Sequence, residues 1–329
     1  MKVLYIGGTG NISAASSRLA VAKGVELWHL NRGTGREVID GVRNLVADYS
    51  DIGSVKKAVS GHRWDAVVNW IAYLPADVQR DFEVFRDVTE QYIFISSASV
   101  YQKRGGHPVI TESTPLYNPY WDYSRNKIAC EEYLNARFRD DDFPITIVRP
   151  TLTYDTVIPV AIGSWDDFTI IDRIRSGGEV IIHGDGTSLW NITHSDDFAK
   201  GFNGLIGHRQ AIGHSFHITS DEILNWNQIY EYVAMAAGAP LRAVHIPSDF
   251  IARFDPFHTG NLLGDKAQSV IFDNTKIKRF VPGFQATIPF SEGIKRTIAW
   301  FEANPARMRI VEPNNAFIDR VIAAFKKAG

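Results

Sequence analysis

Short apolar runs rich in Val and Ile punctuate the first half of the chain, at residues 3–6, 25–30, 66–70, 92–95 and 145–148. The longer segments between them read as helices. In one of these, Tyr123, Lys127, Cys130 and Leu134 recur at steps of four, three and four, the spacing of one helix face. Runs that are apolar throughout, rather than alternating, fit strands covered on both faces, the condition of a parallel sheet built from βαβ units. The pattern predicts an α/β chain with a doubly wound parallel sheet. After Pro150 the rhythm changes to irregular stretches of Pro, Gly and aromatic residues, interrupted by a helix-like segment near 198–206 and a short strand at 216–218. Those two are expected to return to the sheet. Residues 1–155 together with 192–222 would then form the sheet domain, and residues 156–191 together with 223–329 a smaller mixed α/β lobe. In such folds the ligand sits outside the carboxyl ends of the strands, where a second lobe can cover it.

Composition narrows the function classes. Of 329 residues, 45% are hydrophobic and 22% charged, as in an ordinary globular protein, and the chain shows no repeat or low-complexity tract. A net charge of -2 offers no electrostatic means of holding a polyanion, so nucleic acid is not the expected partner. Cys130 is the only cysteine, which excludes an intrachain disulfide and a thiol redox pair. The first apolar run is four residues long and ends in glycines, so it is neither a secretory signal nor a membrane span, and a cytoplasmic location is expected. His183, His194 and His217 lack metal-ligand spacing and are expected to be hydrogen-bonded structural residues, with no metal site. Asp196 and Asp197 are expected to cap the helix that follows them.

The first run leads directly into Gly7-Gly8-Thr9-Gly10-Asn11-Ile12-Ser13 and then a helix-compatible stretch, 14–23. Glycines here let the backbone turn sharply and approach a pyrophosphate, whose charge is met by free N–H groups at the helix N-terminus. Gly7, Thr9, Gly10, Asn11 and Ile12 are the candidate contacts of a Rossmann-type dinucleotide site. Ser13 stands where a third glycine is usual. After the second run, Asn31 and Arg32 replace the acid that an NAD-selective site places on the ribose 2′-hydroxyl. That favours NADP over NAD; alternatively Arg32 is a solvated loop residue or stacks on adenine without discriminating. Asp48 is open to two readings, an adenine contact or a turn residue.

The run at 92–95 ends in Ser96-Ser97-Ala98-Ser99-Val100-Tyr101, and Tyr123-Ser124-Arg125-Asn126-Lys127 follows on a helix. A phenol with a pKa of roughly 10 is a poor base near neutrality. Bringing it to about 7 requires roughly 4 kcal/mol, within reach of a lysine ammonium and a cationic nicotinamide in a partly desolvated cleft. Tyr123 would exchange a proton with a substrate hydroxyl while hydride moves to or from the nicotinamide, Lys127 would supply the cation, and Ser97 would hydrogen-bond the same oxygen.

These motifs, with Asn69-Trp70-Ile71-Ala72, Val148-Arg149-Pro150, His183-Gly184-Asp185-Gly186 and His194-Ser195-Asp196-Asp197, resemble the extended short-chain dehydrogenase/reductases of the NAD-dependent epimerase/dehydratase family. The resemblance extends to 272–276 and 292–294 in the tail. It implies Ser97, Tyr123 and Lys127 as a catalytic triad, main-chain cofactor contacts near Ile71, Ala72 and Pro150, and a homodimer. Two departures matter. The family's sugar 4,6-dehydratases follow the catalytic hydroxyl residue with an acidic pair, but Ala98 and Ser99 stand here, so dehydration is disfavoured. Its nucleotide-sugar epimerases grip the substrate diphosphate with an arginine where this chain has Trp190, which points to a less charged substrate unless Arg173 or Arg175 serves instead. Ser99 and Trp190 are substrate candidates, and Trp165, Tyr154 and Phe257 are candidates for an apolar or sugar-stacking wall. The expected activity is an NAD(P)-dependent oxidoreductase on a carbohydrate-like alcohol or ketone. The alternatives are an epimerase with tightly bound cofactor and a non-catalytic dinucleotide-binding sensor or RNA-associated relative. Cys130 is expected to be a packed thiol.

Overall fold

The computed structural model describes residues 1–33, 38–163 and 165–328. Seven strands form the central sheet: β1 (Lys2–Ile6), β2 (Glu26–Asn31), β3 (Arg43–Val46), β4 (Ala66–Asn69), β5 (Tyr92–Ile95), β6 (Ile145–Pro150) and β7 (Ser215–Ile218). They run parallel in the order β7-β6-β5-β4-β1-β2-β3. The order reverses between β1 and β4, and that switch point opens a crevice at the carboxyl edge. Register aligns the exits: Ile6 pairs with both Leu30 and Asn69, and Ile95 with Val148.

The unbroken apolarity of the runs follows from coverage of both sheet faces. In β1, Leu4 and Ile6 join Leu30, Val67, Phe94 and Ile147 on one side, while Val3 and Tyr5 join Leu27, Val68 and Ile93 on the other. The first side is covered by α2 (Ile52–Val59), α3 (Pro75–Phe85) and α4 (Asp122–Asp141), through Val55, Phe82, Phe85, Cys130 and Leu134. The second is covered by α1 (Ser13–Ala22) and the helix Ser195–Leu205, through Ala20, Phe198 and Phe202. Each such buried aliphatic or phenyl side chain stabilises the sandwich by about 1.5–3 kcal/mol. The helix and strand expected near 198–206 and 216–218 thus do return to the sheet. β3 shows no apolar run because it is the edge strand, with Arg43, Asn44 and Val46 exposed.

The remainder packs a further core, containing Ile170, Ile174, Ile181, Ile229, Val233, Ile294 and Val321. Its short strands pair both ways: Val180–His183 parallel to Ala243–Ile246, and Leu189–Trp190 antiparallel to Leu224–Asn225. Two expectations are corrected. The helix Ser195–Leu205 is capped by the His194 ring, which accepts from the Asp196 N–H at 3.2 Å, and not by the two aspartates. Asp197 instead accepts from the N–H groups of Thr287 and Ile288 at 3.0 and 2.8 Å, tying the C-terminal segment down. Tyr154 is no cavity wall: it is buried against His194 and Phe290. His183 and His217 are buried and hydrogen-bonded to the Lys266 and Asp273 carbonyls at 3.1 and 2.7 Å. Cys130 is buried, and burial pushes its thiol up to about 12, as befits a packing residue. Among the described residues no helix is long and apolar enough to cross a membrane, and no group of His, Cys, Asp and Glu could hold a metal ion.

Candidate active site

A cleft of about 850 Å³ runs across the carboxyl edge of the sheet. Its floor is the turn after β1. Gly7 and Gly8 have φ of +93° and +110°, and a Cβ on Gly8 would lie 2.5 Å from the His29 ring. No side chain fits there. His29 is fixed by Ser17 Oγ at 2.9 Å, and the same hydroxyl donates to the Gly8 carbonyl at 2.9 Å. Gly10 N–H donates to Ser13 Oγ at 2.8 Å, so the serine in place of the third glycine braces the turn. The first turn of α1 has no side-chain cap from Ile12, and residues 11–13 at its start line the cleft, where free helix N-terminal N–H groups can meet an anion. A turn of left-handed glycines held open by the His29 ring beneath it, followed by a ten-residue helix without a side-chain cap, fits a pyrophosphate.

The cleft is walled by Gly7, Thr9, Gly10, Asn11, Ile12, Asn31, Arg32, Asp48, Ile71, Ser97, Tyr123, Lys127 and Pro150. Asn11 also braces the fold, donating to the Thr153 carbonyl at 2.9 Å. Asn31 Oδ1 accepts from the Gly33 N–H at 2.8 Å, and Arg32 is exposed at the rim. Asp48 is a turn residue that nonetheless lines the cleft: its carboxylate takes the Ser50 N–H and hydroxyl at 3.0 and 2.8 Å, which hold its pKa below the usual carboxylate range. Ala72 departs from expectation. It is buried beneath the cleft, its N–H bound by Asn69 Oδ1 and its carbonyl by Lys127, both groups engaged by protein.

That contact belongs to a network not foreseen from the sequence. Asn69 Oδ1 accepts from the N–H groups of Ile71 and Ala72, both at 2.8 Å, and so shapes the loop after β4. Its amide donates to Tyr49 Oη at 2.7 Å and Asp81 Oδ2 at 2.5 Å. Tyr92 and Tyr49 also donate to Asp81, at 2.5 and 3.2 Å. Burial raises the Asp81 carboxyl to about 6 against these donors. The partners lie on β3–α2, β4, α3 and β5, so no local spacing reveals the network.

At the far end of the cleft α4 presents Tyr123 and, one turn on, Lys127. Lys127 Nζ donates to the carbonyls of Ala72 and Ile95, both at 2.7 Å, and burial lowers its pKa to about 8. It lies 5.8 Å from the centre of the Tyr123 ring. Burial pushes the Tyr123 phenol above its ordinary value, opposed by a hydrogen bond with Ser97. In the cofactor-free site the phenol therefore keeps its proton; the lowering expected from Lys127 together with a cationic nicotinamide belongs to the loaded enzyme. Behind Ser97 stands a relay of hydroxyls, Ser97 to Ser99 at 2.9 Å and Ser124 donating to Ser99 at 2.7 Å. Asn118 Nδ2 donates to the Ser99 carbonyl at 2.9 Å, another positioning residue with no sequence signal.

A second cavity of about 470 Å³ opens from the first, and the two share Ser97, Tyr123, Pro150, Thr151, Leu152 and Trp165. Trp121, Trp165, Trp190 and Phe257 supply its aromatic wall, so three of the four aromatic candidates and Ser99 do meet here. Trp190 is buried against Trp226 and Phe272, with the Lys103 ammonium 4.6 Å above its ring. Arg173 and Arg175 do not reach the cavity. They are bound to Asp319 and Glu302, which removes the arginine alternative for a diphosphate.

Residues 3–219 match the NAD dependent epimerase/dehydratase family, and the chain belongs to it. It is 24% identical over 287 residues to 2'-dehydrokanamycin reductase of Streptomyces kanamyceticus, a match spanning 87% of this chain and 80% of that protein. It is 23% identical over 253 residues to the chloroplast stem-loop binding protein of 41 kDa b of Arabidopsis thaliana, spanning 73% of this chain and 64% of that one. Among solved structures, Epimerase Mth375 from Methanothermobacter thermautotrophicus superposes with a TM-score of 0.78 at 17% identity, covering 94% of each chain. Membership makes the chain an NAD(P)-dependent enzyme of the extended short-chain dehydrogenase/reductase kind.

Proposed function

We propose that this member of the NAD dependent epimerase/dehydratase family is an oxidoreductase that interconverts a carbohydrate-like ketone and its alcohol, with Tyr123 as general acid and base. The observation that carries the reading is the meeting of a dinucleotide-sized cleft and a separate aromatic cavity at Ser97 and Tyr123. Similarity to a protein named as a reductase agrees with it. The nicotinamide, when bound, supplies or accepts the hydride. Gly7, Gly8 and Gly10 with the start of α1 would hold the pyrophosphate, and residues 156–191 and 223–329 would form the substrate lobe.

In the reducing direction the Ser97 and Tyr123 hydroxyls polarise the substrate carbonyl oxygen. Tyr123, protonated near neutrality, donates its proton to that oxygen as the carbon receives hydride. The phenolate left behind is met by Ser97 and, on the same helix face, by Lys127. With two of its three N–H donors fixed on backbone carbonyls, Lys127 has one left for the dinucleotide. The absence of an acid at residues 31–32, and Arg32 on the cleft rim, support NADP as the preferred cofactor. Ala98 and Ser99 offer no acid for an elimination.

The test is turnover of a panel of keto-sugars, free sugars and nucleotide sugars with NADPH and NADH, followed by the ultraviolet absorbance of reduced nicotinamide. Net consumption that drops at least about 100-fold in Tyr123→Phe is expected. Interconversion of epimers with no net change in nicotinamide would replace this reading with an epimerase.

A further inference from the structure

One wall of the second cavity is a π-helix, Thr259–Lys266. Its i→i+5 bonding brings residues five apart onto one face, where an α-helix would carry them apart. Asn261 and Lys266 accordingly touch: Lys266 Nζ donates to Asn261 Oδ1 at 2.7 Å and to Asp265 Oδ2 at 3.2 Å. Asp265 Oδ1 is taken by Lys103. The helix is pinned beside the catalytic tyrosine. A Cβ on Gly260 would lie 2.4 Å from the Trp121 ring, Asn118 Nδ2 donates to the Gly264 carbonyl at 2.8 Å, and the Trp121 and Tyr123 rings lie 5.2 Å apart.

These charges are withdrawn from water. Asp265 and Lys266 are each 7% exposed, and the Lys103 side chain 3%. Burial raises the Asp265 carboxyl, but the two ammoniums beside it more than compensate and hold it ionised. Burial pushes His258, also in the wall, down to about 4, so its imidazole is neutral. Burial lowers the Lys103 ammonium while Asp265 works to keep it charged; with both lysines protonated, two ammoniums face one carboxylate and leave one positive charge uncompensated, which is expensive when buried. With two acceptors for three N–H donors, Lys266 also keeps one hydrogen bond to give.

We propose that this corner recognises a carboxylate on the carbohydrate-like substrate, and that Lys266 is the residue that sets this specificity. One negative charge neutralises the corner, whereas a diphosphate would overcharge it and would find no arginine fork. A cationic amino sugar would meet like charge. The inference rests on reading this cavity as the substrate site of the oxidoreductase.

Equilibrium binding of glucuronate, glucose, glucosamine and glucose 1-phosphate, read by quenching of the cavity tryptophans, tests it without requiring turnover. Its failure is therefore distinguishable from a failure of the catalytic assay above. The expected result is glucuronate binding at least about tenfold tighter than glucose, a ratio typical of one charge-assisted hydrogen bond, with glucosamine weakest. Lys266→Gln keeps a donor for Asn261 and leaves Asp265 paired with Lys103; it should bind glucuronate and glucose alike while NADPH affinity is unchanged. Lys266→Met should lose the preference equally. Equal binding of glucuronate and glucose by the unaltered protein, preference for glucosamine or glucose 1-phosphate, or a preference that survives Lys266→Gln would overturn the assignment.

Discussion

Replacing Arg149 by Met should destabilise the protein far more than removing one ion pair from a surface would. Arg149 on β6 and Glu131 on α4 are almost sealed from solvent, their side chains 5% and 1% exposed. The guanidinium donates two parallel bonds to the carboxylate, at 2.9 and 2.5 Å, and a third to Tyr101 Oη at 3.0 Å. Arg149→Met leaves a buried carboxylate with no cation, a loss of about 3–5 kcal/mol. Replacing both partners, Arg149→Met with Glu131→Leu, removes the stranded charge and should recover most of that. Urea unfolding followed by tryptophan fluorescence measures both. Glu131 lies one helical turn beyond Lys127, so the single variant should also lose turnover by loosening α4 against the sheet, and the double variant should regain part of it. A single variant that loses less than about 1 kcal/mol, or a double variant no better than the single, would refute the reasoning.

Gly8→Ala forces a Cβ to 2.5 Å from His29 at a φ of +110°; it should cost about 1–3 kcal/mol of stability and at least tenfold in dinucleotide affinity, and near-normal affinity in a titration would contradict the cradle described for the turn. Lys127, lowered by burial to about 8, loses its proton in the folded state before the unfolded state does. Its contribution to stability therefore rises with pH between about 8 and about 10.4, while kcat/KM, which needs the ammonium, falls as pH passes about 8. A pH–rate profile flat to pH 10 would remove Lys127 from the chemistry. Arg32→Ser should shift the kcat/KM ratio at least about tenfold from NADPH towards NADH, and an unchanged ratio would show that Arg32 does not read the 2′-phosphate.

The sheet was legible because strands buried on both faces must be apolar throughout, and β1 with Val3 to Ile6 wholly buried is the clear case. The glycine turn and the Tyr123–Lys127 spacing were legible because each is a local geometric demand, a left-handed backbone in one case and one helix face in the other. What escaped is non-local. Asn69, Asp81, Tyr49 and Tyr92 come from four parts of the chain and mean nothing until the sheet assembles them. The pairing of Asn261 with Lys266 was hidden for a different reason: five is not a helical repeat unless the helix is a π-helix. Arg173 and Arg175 show the converse case: residue type alone kept open an alternative phosphate role, but both side chains are already paired with Asp319 and Glu302.

The raised Tyr123 phenol carries the largest lesson about mechanism. From sequence, Lys127 and a bound cationic nicotinamide together were expected to lower it; in the structure the ammonium is held by the Ala72 and Ile95 carbonyls rather than by the phenol. The protein thereby keeps a proton on Tyr123 and a positive charge close by, two features that would cancel if lysine and phenol were an ion pair. A phenol that remains neutral until charge develops on it is a better proton donor to a ketone than a base for an alcohol. In the proposed mechanism, oxidation would draw additional positive charge from a bound oxidised nicotinamide. The direction of proton flow at Tyr123 would then follow the redox state of the cofactor, with the carbonyls of Ala72 and Ile95 fixing Lys127 so that it supports either.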